Sequence, residues 1–327
     1  MSLVKAERRR FFKRRMTVWM LVIGLAILGA IGAGFVATHS KHTPEAVAAG
    51  EAKAKAAYAK EVREFEDKWK KECEATSKDP AACQGPPAEY FTAEHYMKPE
   101  FDFKLFYGEI LIIWAAIMAM IAFVLGATYI GAEWSSGAMM NLLTWRPKRI
   151  SVLGTKLGVL LGSMAAIGTA TLLLWTGMLW GIAKVAGHTN GMTGSAWGSF
   201  GLAGLRGVAM IMAFAALGFG LASLGRHTAL ALGVAIGVVI VGQIGLSIVL
   251  AMADVPFFER YLIPVHMDAW LKKSVELEGG GYTCGPSGCI PEAVSELTYK
   301  TSGLIGLAVV VAVTALAFWS IKRRDVA

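Results

Sequence analysis

Four cysteines carry the plainest chemistry in this chain. Cys73 and Cys83 fall in one hydrophilic stretch, and Cys284 and Cys289 fall in another. Even numbers per stretch point to one disulfide in each, formed in an oxidising compartment. Four cysteines allow three connectivities, so cross-pairing and free thiols stay open. Other reactive groupings are missing from the sequence. No Gly-x-x-x-x-Gly-Lys-Ser/Thr loop is present to cradle nucleotide phosphates. No His-Glu-x-x-His occurs, and the six histidines fall in connecting stretches or at the ends of apolar runs. Neither a metal site nor haem ligation is expected from that placement. Glu109, Glu133, Asp254, Lys184 and Arg206 are expected at span ends rather than deep within a span, which disfavours an ion-coupled carrier. The most central polar side chain is Gln243, which cannot carry a proton. The chain is therefore expected to be no enzyme by itself, with no catalytic residue, cofactor or metal of its own.

The elements that hold these residues are set by hydrophobic length. The 327 residues are 55% apolar and 17% charged, with mean hydropathy +0.51. Apolar residues gather in six blocks, at 17–38, 106–131, 152–185, 199–224, 228–253 and 302–321. A helix needs about 20 such residues to cross roughly 30 Å of hydrocarbon. The first block is longer than the apolar core of a signal peptide, so a retained helix is expected. The fold class expected is an all-α membrane protein with six transmembrane helices.

Basic residues orient the spans. Lys5, Arg8, Arg9, Arg10, Lys13, Arg14 and Arg15 precede the first block, and Lys322, Arg323 and Arg324 follow the last. Arg146, Lys148 and Arg149 lie between the second and third, and Arg226 between the fourth and fifth. Six crossings put these segments on one side, which the positive-inside rule makes the cytoplasm. Both termini are expected there, leaving 39–105 and 254–301 outside. Residues 1–16 read as a basic helix that anchors topology or lies along the inner leaflet.

Residues 39–105 read as an exterior helical domain. Glu51–Lys55, Glu64–Lys68, Glu66–Lys70 and Asp67–Lys71 have the spacing of weak pairs on an exposed helix, extending span one like a stalk. Pro80, Pro86 and Pro87 turn the chain back. The 254–301 stretch reads as a loop ending in a glycine-rich turn around Cys284 and Cys289. Small residues recur every fourth position at Gly154, Gly158, Gly162 and Ala166, and again at Ala229, Gly233 and Gly237, as helix-packing ridges.

The most distinctive segment lies at 132–150, between spans two and three. Trp134, Ala138, Leu142 and Trp145 share one apolar helical face, Glu133 stands near the expected helix start, and Pro147 ends it. The run Glu133-Trp134-Ser-Ser-Gly137, then Leu142-Leu143-Thr144, Pro147 and Arg149, with Lys156 opening the next span, resembles the signature of ABC-2-type exporter permeases. The basic amino-terminal segment is similar to that family's connecting helix. The turn Leu224-Gly-Arg-His-Thr-Ala-Leu is similar to its second cytoplasmic turn. The large 39–105 domain departs from compact members.

That resemblance implies a permease subunit of a bacterial ABC exporter in the plasma membrane, working as a dimer with a second copy or paralogue. Separate ATPase subunits would bind the ATP and magnesium. Residues 133–147 would be the coupling helix, with Glu133, Trp134, Gly137, Leu142, Trp145, Arg146, Pro147 and Arg149 facing the ATPase. Phe123 and Gln243 would line a pathway between spans two and five. A hydrophobic or amphipathic cargo (drug, lipid or peptide) is favoured, and no nucleic-acid partner is expected. The alternatives are an ion-coupled carrier or channel, and a membrane anchor or sensor with an exterior partner-binding domain.

Overall fold

The computed structural model describes residues 3–76, 83–145, 148–285 and 288–323. Its helices are α1 (Leu3–Lys13), α2 (Arg15–Thr38), α3 (Pro44–Glu64), α4 (Lys70–Thr76), α5 (Phe103–Ser135), α6 (Ala138–Trp145), α7 (Arg149–Ala186), α8 (Gly194–Gly225), α9 (Thr228–Gly237), α10 (Leu246–Met252), α11 (Ile263–Lys272) and α12 (Tyr299–Arg323). A π-helical segment, Val238–Gly245, joins α9 to α10 as one span. The strands are β1 (Phe101–Asp102), β2 (Gly187–His188), β3 (Ser274–Gly285) and β4 (Gly288–Thr298).

Among the described residues, six helices are long and apolar enough to cross a membrane: α2, α5, α7, α8, the α9–α10 span and α12. Their bounds bracket the six apolar blocks to within a few residues. The chain is mostly helical, at 81%, but β3 and β4 form an antiparallel hairpin, so the all-α expectation needs that correction. Glycines made 274–298 look like a loop. The alternation Val275-Glu276-Leu277-Glu278 is nonetheless a strand pattern. Leu277 and Leu297 pack on Ala269 of α11, while Glu276 and Glu296 stay exposed.

The chain divides into two compact units. One comprises Met1–Leu28, Tyr107–Thr176 and Thr193–Ala327. α5 is its centre: 67% of its apolar window is buried, against none of the α9–α10 span. Trp114, Trp175 and Tyr129 are the largest buried side chains. Trp114 Nε1 donates to Thr171 Oγ1 at 3.2 Å, and Tyr107 Oη and Thr176 Oγ1 are 2.8 Å apart, so these polar atoms are satisfied in the apolar interior, whereas Trp175 Nε1 and Ser223 Oγ are buried without a partner among the described residues. α5 and α8 cross where both lack a side chain. A Cβ on Gly126 would overlap the Ala215 carbonyl, and one on Gly218 would overlap the Phe123 carbonyl. The small-residue ridges are in little contact among the described residues: a Cβ at Gly154 would touch the Phe318 ring at 3.9 Å, and one at Gly158, Gly162, Gly233 or Gly237 would meet nothing within 4 Å.

Arg206 was expected at a span end, yet it lies about 18 Å into α8 by helical rise. It is satisfied by the carboxyl-terminal carbonyls of α11, donating to Trp270 O (3.2 Å) and Leu271 O (2.9 Å). The carboxyl-terminal end of a helix carries negative partial charge, so this is a favourable seat for a guanidinium. Beside it, Glu109 (2.7 Å) and Asp268 (3.3 Å) flank Lys272. Partial burial presses the Lys272 pKa down, but these carboxylates outweigh that and raise it.

The other unit comprises Gly29–Phe106 and Gly177–Met192. Here α3 is not a continuation of α2. The chain breaks over residues 39–43, and Thr43 starts a new helix by accepting from Ala46 N at 3.3 Å, with Pro44 in the first turn. α3 packs back on residues 91–97, through Gly50 against Met97 and Tyr58 against Phe91. Glu64–Lys68 closes at 3.4 Å. Glu66–Lys70 and Asp67–Lys71 instead begin within a π-helical segment, Phe65–Trp69, whose wider turn takes them off i,i+4 alignment. Phe35, His39, Phe101 and Phe106 form a ring cluster with centroids 5.4–5.7 Å apart. Cys73 bonds Cys83, and in the first unit Cys284 bonds Cys289, as the paired placement suggested. Pro80 lies outside the described residues.

Candidate functional site

The segment singled out by its sequence sits where α5, α6 and α7 meet, but as a broken helix. α5 runs through Glu133 and Trp134 to Ser135. Gly137, at φ +71°, then takes the left-handed conformation that glycine tolerates best. Its N–H bonds the Trp134 carbonyl at 3.1 Å, and its own carbonyl accepts from Asn141 N at 3.2 Å. Gly137 thus closes one helix and opens the next. Glu133 therefore stands at a helix end rather than a helix start. Trp134 is separated by the break from the face it was expected to share with Ala138 and Leu142.

A carboxylate near a helix carboxyl terminus is disfavoured by the dipole, and the structure compensates it. Arg14 Nη2 reaches Glu133 Oε1 at 2.9 Å, and Lys156 Nζ reaches Glu133 Oε2 at 2.8 Å. The same ammonium holds Glu7 Oε2 at 2.8 Å, and Tyr129 Oη donates to that oxygen at 2.7 Å. Arg14 also donates to the carbonyls of Thr128 (3.2 Å) and Tyr129 (3.0 Å). Two carboxylates, Glu7 and Glu133, and three cations, Arg10, Arg14 and Lys156, form a network joining α1, α5 and α7. Glu7 and Lys156 are fully buried, and Glu133 is 8% exposed. Burial alone would push the Glu7 carboxyl up. The Lys156 ammonium, the Tyr129 hydroxyl and Arg10 reverse this and hold it below the usual carboxylate range.

A second contact fixes the end of α5. Arg226 follows α8 in a left-handed conformation, φ 53°, and its guanidinium lies 5.0 Å from the Trp134 ring centroid. His227 then caps α9 by accepting from Ala229 N at 3.1 Å. Gly131 fits against the backbone of Thr228. Trp134 is consequently buried against its own chain, at 8% exposure. Among its described side chains, α6 leaves Ala138, Asn141 and Thr144 exposed, with Lys148 beyond them, while Leu142 is half-buried and Met139 fully buried; the side chains of Leu143 and Trp145 lie outside the described residues. Arg149 begins α7. Arg146 and Pro147 lie outside the described residues.

The two residues expected to line a pathway have separate settings. Phe123 is half-buried on α5 where α8 crosses it. Gln243 sits in the π-helical segment, where its Oε1 accepts from Ile263 N at 2.6 Å at the start of α11 and its Nε2 donates to Gly242 O. Glu7, Arg14 and Tyr129 were missed as site residues. Two signals pointed to them: Glu7 is the only acid in the basic amino-terminal segment, and Lys156 is a cation close to an apolar run that needs a carboxylate.

Six helices long and apolar enough to cross a membrane define a multi-pass membrane protein. The family described as ABC-2 family transporter protein matches residues 1–326, and the chain belongs to it. Permeases of this family are membrane transport components that work with ABC ATPase subunits. No curated protein matches the chain.

Proposed function

We propose that this chain is the permease subunit of an ATP-driven exporter in the bacterial plasma membrane, with both termini and α6 on the cytoplasmic side. It works as a dimer with a second copy or paralogue. The observation that carries the reading is the construction of α6, a two-turn helix suspended between two spans. Gly137 hinges it to α5, and a short link leads to α7. Displacing it would move both spans together, because Glu133 and Lys156 tie their ends to each other and to α1. Such a mechanical input suits a partner that changes shape on ATP hydrolysis and supplies the chemistry this chain lacks.

The contact surface in this reading is Ala138, Asn141 and Thr144, with Leu142 and Lys148 at its margin. Glu133 and Trp134 are positioning residues beneath it. The cargo is hydrophobic or amphipathic, in keeping with spans that offer aromatics and methionines rather than charge. The test is co-purification of the full chain with a Walker-motif ATPase, followed by ATP-driven transport in inverted membrane vesicles. Asn141→Arg with Thr144→Glu changes exposed residues only and should abolish both without loss of expression. If both survive, α6 is not the coupling element. Transport that persists without any ATPase would favour the ion-coupled alternative.

A further inference from the structure

We infer that the outward face of α1, with the cavity at its foot, is a binding site for anionic phospholipid. The fold sorts the charges of this segment. Residues 3–15 hold seven cations and one acid. The acid, Glu7, is buried against Lys156, and Arg14 is drawn inward to Glu133. Arg10 stays 60% exposed but pairs with Glu7 at 3.4 Å. Arg8, Arg9, Lys13 and Arg15 are left exposed on a helix whose single acid has been removed from its surface. Val4, Phe12 and Met16 are exposed among them, at 54%, 44% and 40%.

Position decides what such a face meets. One residue separates α1 from α2, a membrane-spanning helix, and Trp19, 63% exposed, stands in the first turns of that span. The cations therefore lie at the hydrocarbon boundary, within a Debye length of the headgroups. Interleaved cations and apolar side chains match a phosphodiester above acyl chains better than they match a folded acidic protein. Two concavities give the face a shape. One, of about 400 Å³, is lined by Arg14, Arg15, Met16, Leu125, Tyr129 and Ala132, among others. The other, of about 430 Å³, is lined by residues including Arg8, Arg9, Phe12 and Lys13. Guanidinium groups beside an apolar wall can hold a phosphodiester by paired N–H bonds while the wall takes the first methylenes. A lipid seated there would brace α1, α2 and α5 at the edge of the buried ion network.

The test uses the full chain in nanodiscs of phosphatidylcholine alone or mixed with phosphatidylglycerol, with lipids retained after detergent transfer counted by native mass spectrometry. The wild type should retain phosphatidylglycerol selectively. R8Q/R9Q/K13Q/R15Q alters exposed residues only, and retention should fall about fivefold for each charge removed. A132F, also at an exposed position, should fill the first cavity and lower the number of lipids retained while the cations remain. Equal retention by the wild type and the quadruple variant overturns the proposal, as does unchanged stoichiometry in A132F. Loss of a co-purifying protein with lipid retention intact would reassign the face to a protein partner and equally overturn it.

Discussion

Lys156→Met removes the one cation that touches both buried carboxylates. In the native chain its ammonium holds Glu7 and Glu133 at 2.8 Å each. After substitution, Glu7 keeps the Tyr129 hydroxyl and the half-exposed Arg10, and Glu133 keeps Arg14. Hydrogen bonds to charged groups are worth about 1.5–3 kcal/mol each, and breaking a buried pair costs about 3–5 kcal/mol. The two routes agree, so K156M should destabilise the bundle by about 3–5 kcal/mol, or roughly 5–10 °C in an unfolding scan at fixed rate. The decisive comparison is E7Q/K156M. This variant removes one charge of each sign and leaves Arg14 facing Glu133, so it should recover most of the loss. The assay is thermal unfolding of the full chain in one detergent, followed by intrinsic fluorescence. If K156M unfolds within 1–2 °C of wild type, or if E7Q/K156M is the less stable of the two, the buried network does not carry the junction.

Three further outcomes follow from the same geometry. Gly137→Val forces a β-branched residue to φ +71° and should cost about 1–2 kcal/mol, whereas Gly137→Asn should be tolerated; equal unfolding temperatures would remove the backbone argument for the hinge. Gly218→Val places side-chain atoms on the Phe123 carbonyl and should separate α5 from α8, seen as loss of monodisperse protein on size exclusion, while Gly233→Val meets no neighbour and should be neutral. Because the Glu7 pKa is lowered, its contribution is present above the unfolded value of about 4.3 and is lost as pH falls through the lower folded value; E7Q should flatten that acid limb, and an unchanged limb would assign it to other groups.

Much of the architecture was legible in the sequence because the bilayer imposes it. Hydrocarbon thickness demands helices of a set length, so six apolar blocks had to become α2, α5, α7, α8, α9–α10 and α12. Cysteines placed in pairs within two polar stretches foretold Cys73–Cys83 and Cys284–Cys289. The junction at the end of α5 announced itself through Glu133, Trp134 and Gly137, and the family it suggested is the one to which the chain belongs. The hairpin at 274–298 was legible in principle, since Val275, Leu277 and Leu297 alternate with glutamates, but the glycines between them outweighed that pattern.

Tertiary structure alone decided which charges meet. Lys156 is far from Glu7 in sequence, and no helical or strand period connects them, so only the packing of α1 against α5 and α7 brings them together. The same packing buried Trp134 beneath Arg226, moving the exposed face of the junction to Asn141 and Thr144. It also chose Gly126 and Gly218 for the closest helix crossing over ridges with better-looking spacing. Hydrophobic length is a property of one segment at a time. Burial, charge pairing and backbone approach belong to pairs of segments, and their partners exist only once the helices are assembled.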